Sequence, residues 1–104
     1  MANYVLVYSG GSIPETEAER NAVMAAWGAW YEGLGQAVVD SGNPFGPSTS
    51  VSADGTVSQG APSALSGYTV ISGDSLDAAT DQAKNCPILA SGGRVDVYET
   101  FRIM

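Results

Sequence analysis

The sequence predicts a single α+β domain that covers residues 1–104, with strands and helices alternating along the chain. Three observations carry this prediction. A short apolar run rich in β-formers lies near the start, at Tyr4–Tyr8. Two segments have apolar residues at helical spacing, and a residue suited to N-capping precedes each of them. The stretch from Gly67 to Glu99 has the pattern of a strand, a capped helix, a Gly-Gly turn and a second strand.

The first strand and the first helix are marked by their boundaries. Ser9-Gly10-Gly11 ends the apolar run, and a run that is apolar on both faces is typical of a central strand. The segment Thr16-Glu-Ala-Glu19 matches a capping box. A wide apolar stripe follows and predicts a helix reaching about Val39: Val23, Trp27, Trp30, Tyr31, Leu34 and Val38. Glycines inside this helix lower its propensity and suggest close approach of another backbone: Gly28, Gly33 and Gly35.

The middle of the chain, residues 41–66, is rich in Gly, Pro and Ser. A hairpin is predicted where an Asp54-Gly55 turn joins Thr49–Ser52 to Thr56–Ser58. We interpret it as an edge strand with an additional short strand attached. The last third then supplies a strand at Tyr68–Ser72 and a helix capped by Ser75. That helix has a small apolar face made of Leu76, Ala79 and Ala83, and it ends at Cys86-Pro87 because the residue before a proline avoids the helical region. A final strand follows at Val95–Ile103.

The element order β-α-β-β-α-β predicts a ferredoxin-like antiparallel sheet with two helices on one face. From right-handed crossovers we further predict that the first and third strands are central and parallel to each other. The other face would carry aromatic residues such as Tyr8, Tyr68 or Tyr98. Because a face of this kind is normally buried, we expect a second copy to cover it, giving a homodimeric α/β barrel.

Charge and composition limit the classes of function. The net charge is −7, and the positive residues are only Arg20, Lys84, Arg94 and Arg102. Such a surface repels phosphates and anionic lipids, so we expect neither a nucleic-acid partner nor a membrane partner. A single cysteine and an N-terminus without a basic or long apolar segment indicate a cytoplasmic protein. A chain of this length favours a shallow cleft or a site shared with a partner subunit.

Four motifs stand in order along the chain: Trp27-Gly-Ala-Trp30, Asp40-Ser-Gly-Asn, Ala83-Lys-Asn-Cys-Pro87 and Gly92-Gly-Arg-Val-Asp-Val-Tyr-Glu99. With them the chain resembles the YCII-related family, also called the DGPF-domain family. The resemblance implies a ferredoxin-like fold paired into a dimeric α/β barrel, and small bacterial proteins that mostly lack an assigned activity. The Asp-Gly-Pro-Phe signature is absent, and Asp54-Gly-Thr-Val57 stands in the comparable stretch.

The resemblance also implies a His-Asp active-site dyad in some members, with one relative that dechlorinates an aromatic ring. Asp40 matches the aspartate of that dyad, and the histidine would fall near Trp27 or Gly28. This chain contains no histidine, so the dyad mechanism is excluded in that form. Asp40 stays the candidate catalytic residue, as a base whose pKa burial would have to raise. An exposed carboxylate at a helix end is the simpler interpretation.

The candidate ligand-binding residues are mainly aromatic: Tyr8, Trp27, Trp30, Tyr31, Tyr98 and also Arg102. Aromatic rings at helical spacing usually form core, but two tryptophans three residues apart also suit a planar ligand. Arg102 could hold an acidic ligand or pair with Asp96 or Glu99. Cys86 is predicted to be a small buried thiol, and no metal or cofactor is expected. The first hypothesis is a homodimer that binds a small apolar or aromatic metabolite; the alternatives are a cofactor-independent acid/base enzyme (a lyase, an isomerase or dehalogenase-like), using Asp40 or a tyrosine, and a regulatory interaction protein.

Overall fold

The computed structural model describes residues 2–62 and 64–102. Its strands are β1 (Ala2–Ser9), β2 (Val38–Asp40), β3 (Thr49–Val51), β4 (Val57–Gln59), β5 (Leu65–Gly73) and β6 (Arg94–Glu99). Its helices are α1 (Glu17–Leu34) and α2 (Leu76–Ala83), and short 3₁₀ segments cover Gly35–Ala37 and Pro87–Ser91. The α+β class predicted from the sequence is confirmed.

The main sheet has the strand order β2-β5-β1-β6, and all its neighbouring strands are antiparallel. The two central strands are therefore the first and the third main strand, as predicted, but their predicted parallel orientation is wrong. In a split β-α-β unit the crossover helix joins two parallel strands that are not neighbours. The strand inserted between them runs the other way, so β1 and β5 pair antiparallel.

The edge strand beside β5 is not the one predicted. It is β2, whereas residues 49–59 form a separate two-stranded sheet of β3 and β4. The predicted hairpin itself is confirmed, with Gly55 at a positive φ in its turn. Val38 was expected in the helical stripe, but α1 ends earlier because Gly35 adopts a φ of 57° and its N–H bonds the Tyr31 carbonyl. That turn leaves Val38 free to pair with Ile71 of β5.

Both helices pack on one face of the sheet, as predicted. Trp30 and Leu34 of α1 and Ala79 and Ala83 of α2 belong to one buried cluster with alternate residues of β1, namely Tyr4, Leu6 and Tyr8. Tyr8 therefore lies on the helix-covered face, and its assignment to the open face is corrected. Burial of this apolar cluster is the main stabilising contribution to the fold.

The N-terminal caps follow the sequence signals. Thr16 accepts the N–H of Glu19 at 3.0 Å, and Ser75 accepts the N–H of Ala78 at 3.0 Å. The Glu19 carboxylate returns to the N–H of Glu15, one residue before the usual capping-box partner.

Other parts of the predicted helix packing are corrected. The first turns of α1 extend past the core, and Val23 is exposed; Leu76 of α2 is also exposed. A Cβ at Gly28, Gly33 or Gly35 would meet nothing within 4 Å, so the predicted close approach of another backbone is not found among residues 2–62 and 64–102.

The open face of the sheet carries the intervening residues of the same strands. Its apolar centre, which we call the open valine face, consists of Val5, Val7, Tyr68, Val70 and Tyr98. The last strand ends at Glu99, before the predicted end at Ile103, which lies outside the described residues. Phe101 is exposed rather than part of a strand face.

Candidate functional site

A cavity of about 300 Å³ lies between α1 and the β5 end of the sheet. The rings of Tyr8, Trp27 and Tyr31 line it from β1 and α1. The wall also includes residues 41–44 of the loop after β2 and residues 66–68 near the start of β5. Three of the aromatic residues predicted to bind a ligand therefore converge on one cavity, whose volume is at the lower end of the range for small-molecule sites.

Trp27 is the centre of an aromatic cluster in this cleft. Its ring centroid lies 5.2 Å from Tyr8, 5.7 Å from Trp30 and 5.9 Å from Tyr31. Its contacts with Tyr8 and Trp30 are edge-to-face, an arrangement that the ring quadrupoles favour. Trp27 stays half-buried, so part of its indole is accessible from the cavity.

Trp30 is mostly buried, with 8% of its surface exposed, and its indole N–H donates to the carbonyl of Gln82 at 3.1 Å. This bond ties α1 to α2, which is a structural role. The exposed edge of Trp30 faces a different space, an open groove of about 990 Å³ between α1, the loop after β1 and the segment 87–91. Trp27 also borders this groove.

A chain of hydroxyl groups lies beneath the small cavity. Tyr8 donates to Thr69 Oγ1 at 2.7 Å, and Thr69 donates in turn to the carbonyl of Ser41 at 3.0 Å. The Tyr31 hydroxyl lies 3.1 Å from the same carbonyl and 3.2 Å from Thr69 Oγ1. These bonds connect β1, β5, α1 and the loop after β2, so they fix the rings that line the cavity.

Two glycines allow the loop and β5 to approach closely at the cavity wall. Gly42 has a φ of 75°, and a Cβ there would overlap the carbonyl of Tyr68. A Cβ on Gly67 would lie 3.1 Å from the carbonyl oxygen of Asn43. Any larger residue at either position would displace the loop that closes the cavity.

Burial governs the ionisable groups of the cleft. Desolvation raises the pKa of the Tyr8 phenol well above its ordinary value, against the opposing effect of its hydrogen bond to Thr69. Desolvation also raises the pKa of the Cys86 thiol, which is buried beside Tyr8. Both groups therefore keep their protons at neutral pH, and the prediction that Cys86 is a small buried thiol is confirmed.

Asp40 lies outside the cavity lining, at the exposed edge strand. One carboxylate oxygen accepts the N–H of Gly42 at 2.9 Å, and the other accepts the hydroxyl of Tyr68 at 3.1 Å. The bond to Asp40 raises the pKa of Tyr68. Phe45 stacks on Tyr68 at 5.8 Å, which holds this edge together. Asp40 thus orders the loop that forms the cavity wall.

The structure places two further candidate residues away from the cleft. Tyr98 is opposite Val5 in the strand pairing, so it is on the open valine face and 58% exposed. Arg102 is exposed beyond the end of β6. The ion pair suggested for Arg102 with Asp96 is instead formed by Arg94, at 2.9 Å.

The residues that sequence reasoning missed are Thr69 and the loop 41–44. Thr69 is completely buried between two β-formers, and a hydroxyl at such a position is a usable signal that a polar partner is near. The Asp40-Ser-Gly-Asn motif was used only for the family resemblance, and residues 41–44 were otherwise treated as part of a Gly-, Pro- and Ser-rich stretch. Its Asp-Ser-Gly-Asn sequence is nevertheless typical of a turn in which the Asp side chain bonds the backbone.

Within residues 2–62 and 64–102, no group of three or more His, Cys, Asp or Glu residues is arranged to hold a metal ion. Within the same part of the chain, neither helix has the length and apolar character needed to cross a bilayer.

Comparisons with known proteins give no relatives. No protein-family model matches the chain, and neither a curated protein nor a solved structure matches it. The resemblance to the YCII-related family therefore remains a prediction made from the sequence motifs.

Proposed function

We propose that the protein is a cytoplasmic homodimer of the YCII-related type that binds a small apolar or aromatic metabolite between α1 and the sheet. The observation that carries the proposal is the cavity of about 300 Å³ lined by Tyr8, Trp27 and Tyr31. Large rings with a fixed orientation supply apolar contact area at low entropic cost. The hydroxyl chain through Thr69 fixes Tyr8 and Tyr31 before a ligand arrives, and Trp27 packs against both rings.

Binding is favoured over acid/base catalysis by the state of the titratable groups. The Tyr8 phenol and the Cys86 thiol have raised pKa values because they are buried, and the chain has no histidine. Asp40 directs both carboxylate oxygens to Gly42 and Tyr68. A general base has to give up its own proton near the working pH, and the buried Tyr8 and Cys86 do not.

The dimer proposal is supported by the open valine face and by the exposed surface. The chain exposes 7228 Å², whereas a monomeric protein of this mass exposes about 5,500 Å². The difference exceeds the roughly 800 Å² that each partner buries in a typical interface. The radius of gyration of 15.3 Å is likewise above the about 13 Å of a compact chain this long. A second copy against the open valine face would form the dimeric barrel.

Ligand binding is tested by a thermal-shift screen of neutral aromatic compounds, since a ligand of the native state raises its melting temperature. Asn43→Phe places a bulky ring at the exposed rim of the cavity and should abolish the shift. Gln36→Phe adds the same ring at an exposed position outside the cavity and should leave it intact. If no compound raises the melting temperature, or if both variants respond equally, the cavity is not the binding site.

Trp27→Ala provides a second test, because it removes the central ring and should abolish quenching of the remaining tryptophan fluorescence by the ligand. Asp40→Asn should retain binding of neutral ligands. The enzyme alternative predicts instead that Asp40→Asn abolishes turnover of a compound found in the screen while the dimer survives.

The dimer is tested by sedimentation velocity at micromolar concentration. Val70→Asp places a charge on the open valine face and should give a folded monomer. Ile13→Asp introduces the same charge on the exposed loop before α1 and should leave the dimer unchanged. A wild-type protein that sediments only as a monomer would rule out the barrel.

A further inference from the structure

We propose that the ligand of the small cavity is an organic cation, such as a primary or quaternary amine with an apolar body. This inference rests on the proposed function and names the chemical class that the site selects. The starting point is the lining of the cavity. Among the described residues that form it, none has a charged side chain, and four are aromatic: Tyr8, Trp27, Tyr31 and Tyr68.

The protein has few positive groups, and they lie elsewhere. Lys84 pairs with Asp81 at 3.2 Å, and Arg94 pairs with Asp96 at 2.9 Å. Neither Arg20 nor Arg102 is among the described residues that line the cavity. A carboxylate or phosphate entering this space would lose its hydration without meeting a positive partner. The cavity therefore disfavours anions.

Several features of the same wall favour a positive charge. The faces of Trp27, Tyr31 and Tyr8 carry the negative part of the ring quadrupole, which attracts ammonium groups. The Asp40 carboxylate accepts the N–H of Gly42 and the hydroxyl of Tyr68, and both residues belong to the lining, so a negative charge adjoins the loop that closes the cavity. The net charge of −7 adds a long-range field that concentrates cations at the surface.

The hydroxyl chain offers the ligand hydrogen-bond acceptors rather than donors. Tyr8 donates to Thr69, and Thr69 and Tyr31 can each donate to the Ser41 carbonyl, so all three hydroxyl protons have partners inside the protein. The Tyr8 and Tyr31 oxygens retain lone pairs. Because burial raises the pKa of Tyr8, its hydroxyl stays neutral and does not compensate a cation by ionising. Recognition then depends on the rings and on Asp40.

The test compares three compounds that share one ring and differ in charge: benzylammonium, benzyl alcohol and benzoate. Affinities for the full chain are measured by isothermal calorimetry at low and high salt. We expect benzylammonium to bind about tenfold more tightly than benzyl alcohol. Benzoate should bind most weakly, and added salt should weaken only the binding of the ammonium compound.

Two variants connect the preference to the site. Trp27→Leu keeps an apolar side chain but removes the ring face, and should reduce the affinity for benzylammonium about tenfold while changing that for benzyl alcohol much less. In Asp40→Asn the amide oxygen can still accept the Gly42 N–H, and the variant should weaken benzylammonium about threefold more than it weakens benzyl alcohol. Circular dichroism of both variants confirms that they fold.

The outcomes separate the two proposals. If benzyl alcohol or benzoate binds as tightly as benzylammonium, the inference about charge is wrong, while a binding site for aromatic compounds stands. If the preference for the ammonium compound persists unchanged in both variants, the cation is held elsewhere and the inference is also wrong. If none of the three compounds binds, and the neutral aromatic screen also fails, the proposed function itself falls.

Discussion

The two faces of the main sheet are built from alternate residues of the same strands, and they differ sharply in what covers them. In β1, Leu6 is fully buried under the helices, whereas its neighbours Val5 and Val7 are only half-buried on the other side. The helix-covered face holds the core, the aromatic cluster and the small cavity. The open valine face holds apolar residues that no helix or strand among the described residues covers, and only Phe45 stacks on its Tyr68.

This difference separates two roles that the same strands perform. Residues on the covered face contribute to the stability of each chain by itself, because they are already removed from water. Residues on the open valine face would contribute only when another surface covers them. Stability that depends on protein concentration is therefore the property that distinguishes the two faces.

The largest expected effect comes from truncating the covered face. Leu6→Ala should lower the free energy of unfolding by about 2–5 kcal/mol, because it leaves a cavity in a fully packed position. Urea denaturation followed by circular dichroism at several protein concentrations measures this loss. The loss should be the same at every concentration.

Val7→Ala is the matched control on the open valine face. Its cost should grow with protein concentration, because Val7 would be buried further only in the proposed dimer. If the Val7→Ala cost is independent of concentration and as large as that of Leu6→Ala, the proposed contrast between the faces is wrong.

The next effect compares a glycine that is closely packed, Gly42, with one whose surroundings are empty, Gly28. Gly42→Ala should destabilise the protein by about 1–3 kcal/mol or more, since alanine would be strained at a positive φ and would overlap the Tyr68 carbonyl. Gly28→Ala should stabilise it by about 0.5–1 kcal/mol, because the position is helical and its surroundings are empty. Thermal unfolding of the two variants measures both signs, and equal signs would contradict this picture of the loop.

A pH series examines the covered face through Tyr8. Because burial raises its pKa, the folded state keeps the phenol proton where the unfolded chain loses it. The contribution of Tyr8 to the free energy of unfolding is therefore fully present below about pH 10, the ordinary tyrosine pKa, and decreases as the pH rises above that value. The expected slope is about 1.4 kcal/mol per pH unit for one proton. Urea titrations above this pH should show a shallower slope in Tyr8→Phe, and an unchanged slope would contradict the assignment.

Much of the fold follows from local signals, and the errors have identifiable physical causes. Thr16 and Ser75 were recognised as N-caps because a hydroxyl just before a helix typically accepts an N–H of its first turn. The edge strand was placed wrongly because Val38 fits both a helical stripe and a strand. What decides between them is the positive φ of Gly35, which depends on tertiary context. The orientation of β1 against β5 was missed because the crossover rule was applied to neighbouring strands.

The candidate site was only partly predictable. The aromatic residues Tyr8, Trp27 and Tyr31 were found from composition and helical spacing, but Tyr98 and Arg102 required the strand register to be assigned. A shift of one residue moves every side chain to the other face, so strand parity cannot be taken from a short sequence alone. Thr69 was missed because its role arises from partners distant in the chain, namely Tyr8 and Ser41.

The smallest expected effect comes from removing one tyrosine hydroxyl on each face of the sheet. Tyr31→Phe removes a hydroxyl that bonds the Ser41 carbonyl, and should cost about 0.5–1.5 kcal/mol while loosening the loop at the cavity. Tyr98→Phe removes a hydroxyl from the open valine face, where it has no hydrogen-bond partner among residues 2–62 and 64–102, and should change stability by less than about 0.5 kcal/mol. Paired urea titrations of the two variants make the comparison direct. A Tyr98→Phe cost equal to that of Tyr31→Phe would mean that the hydroxyl of Tyr98 is bonded across the dimer, and would make the open face a polar interface rather than an apolar one.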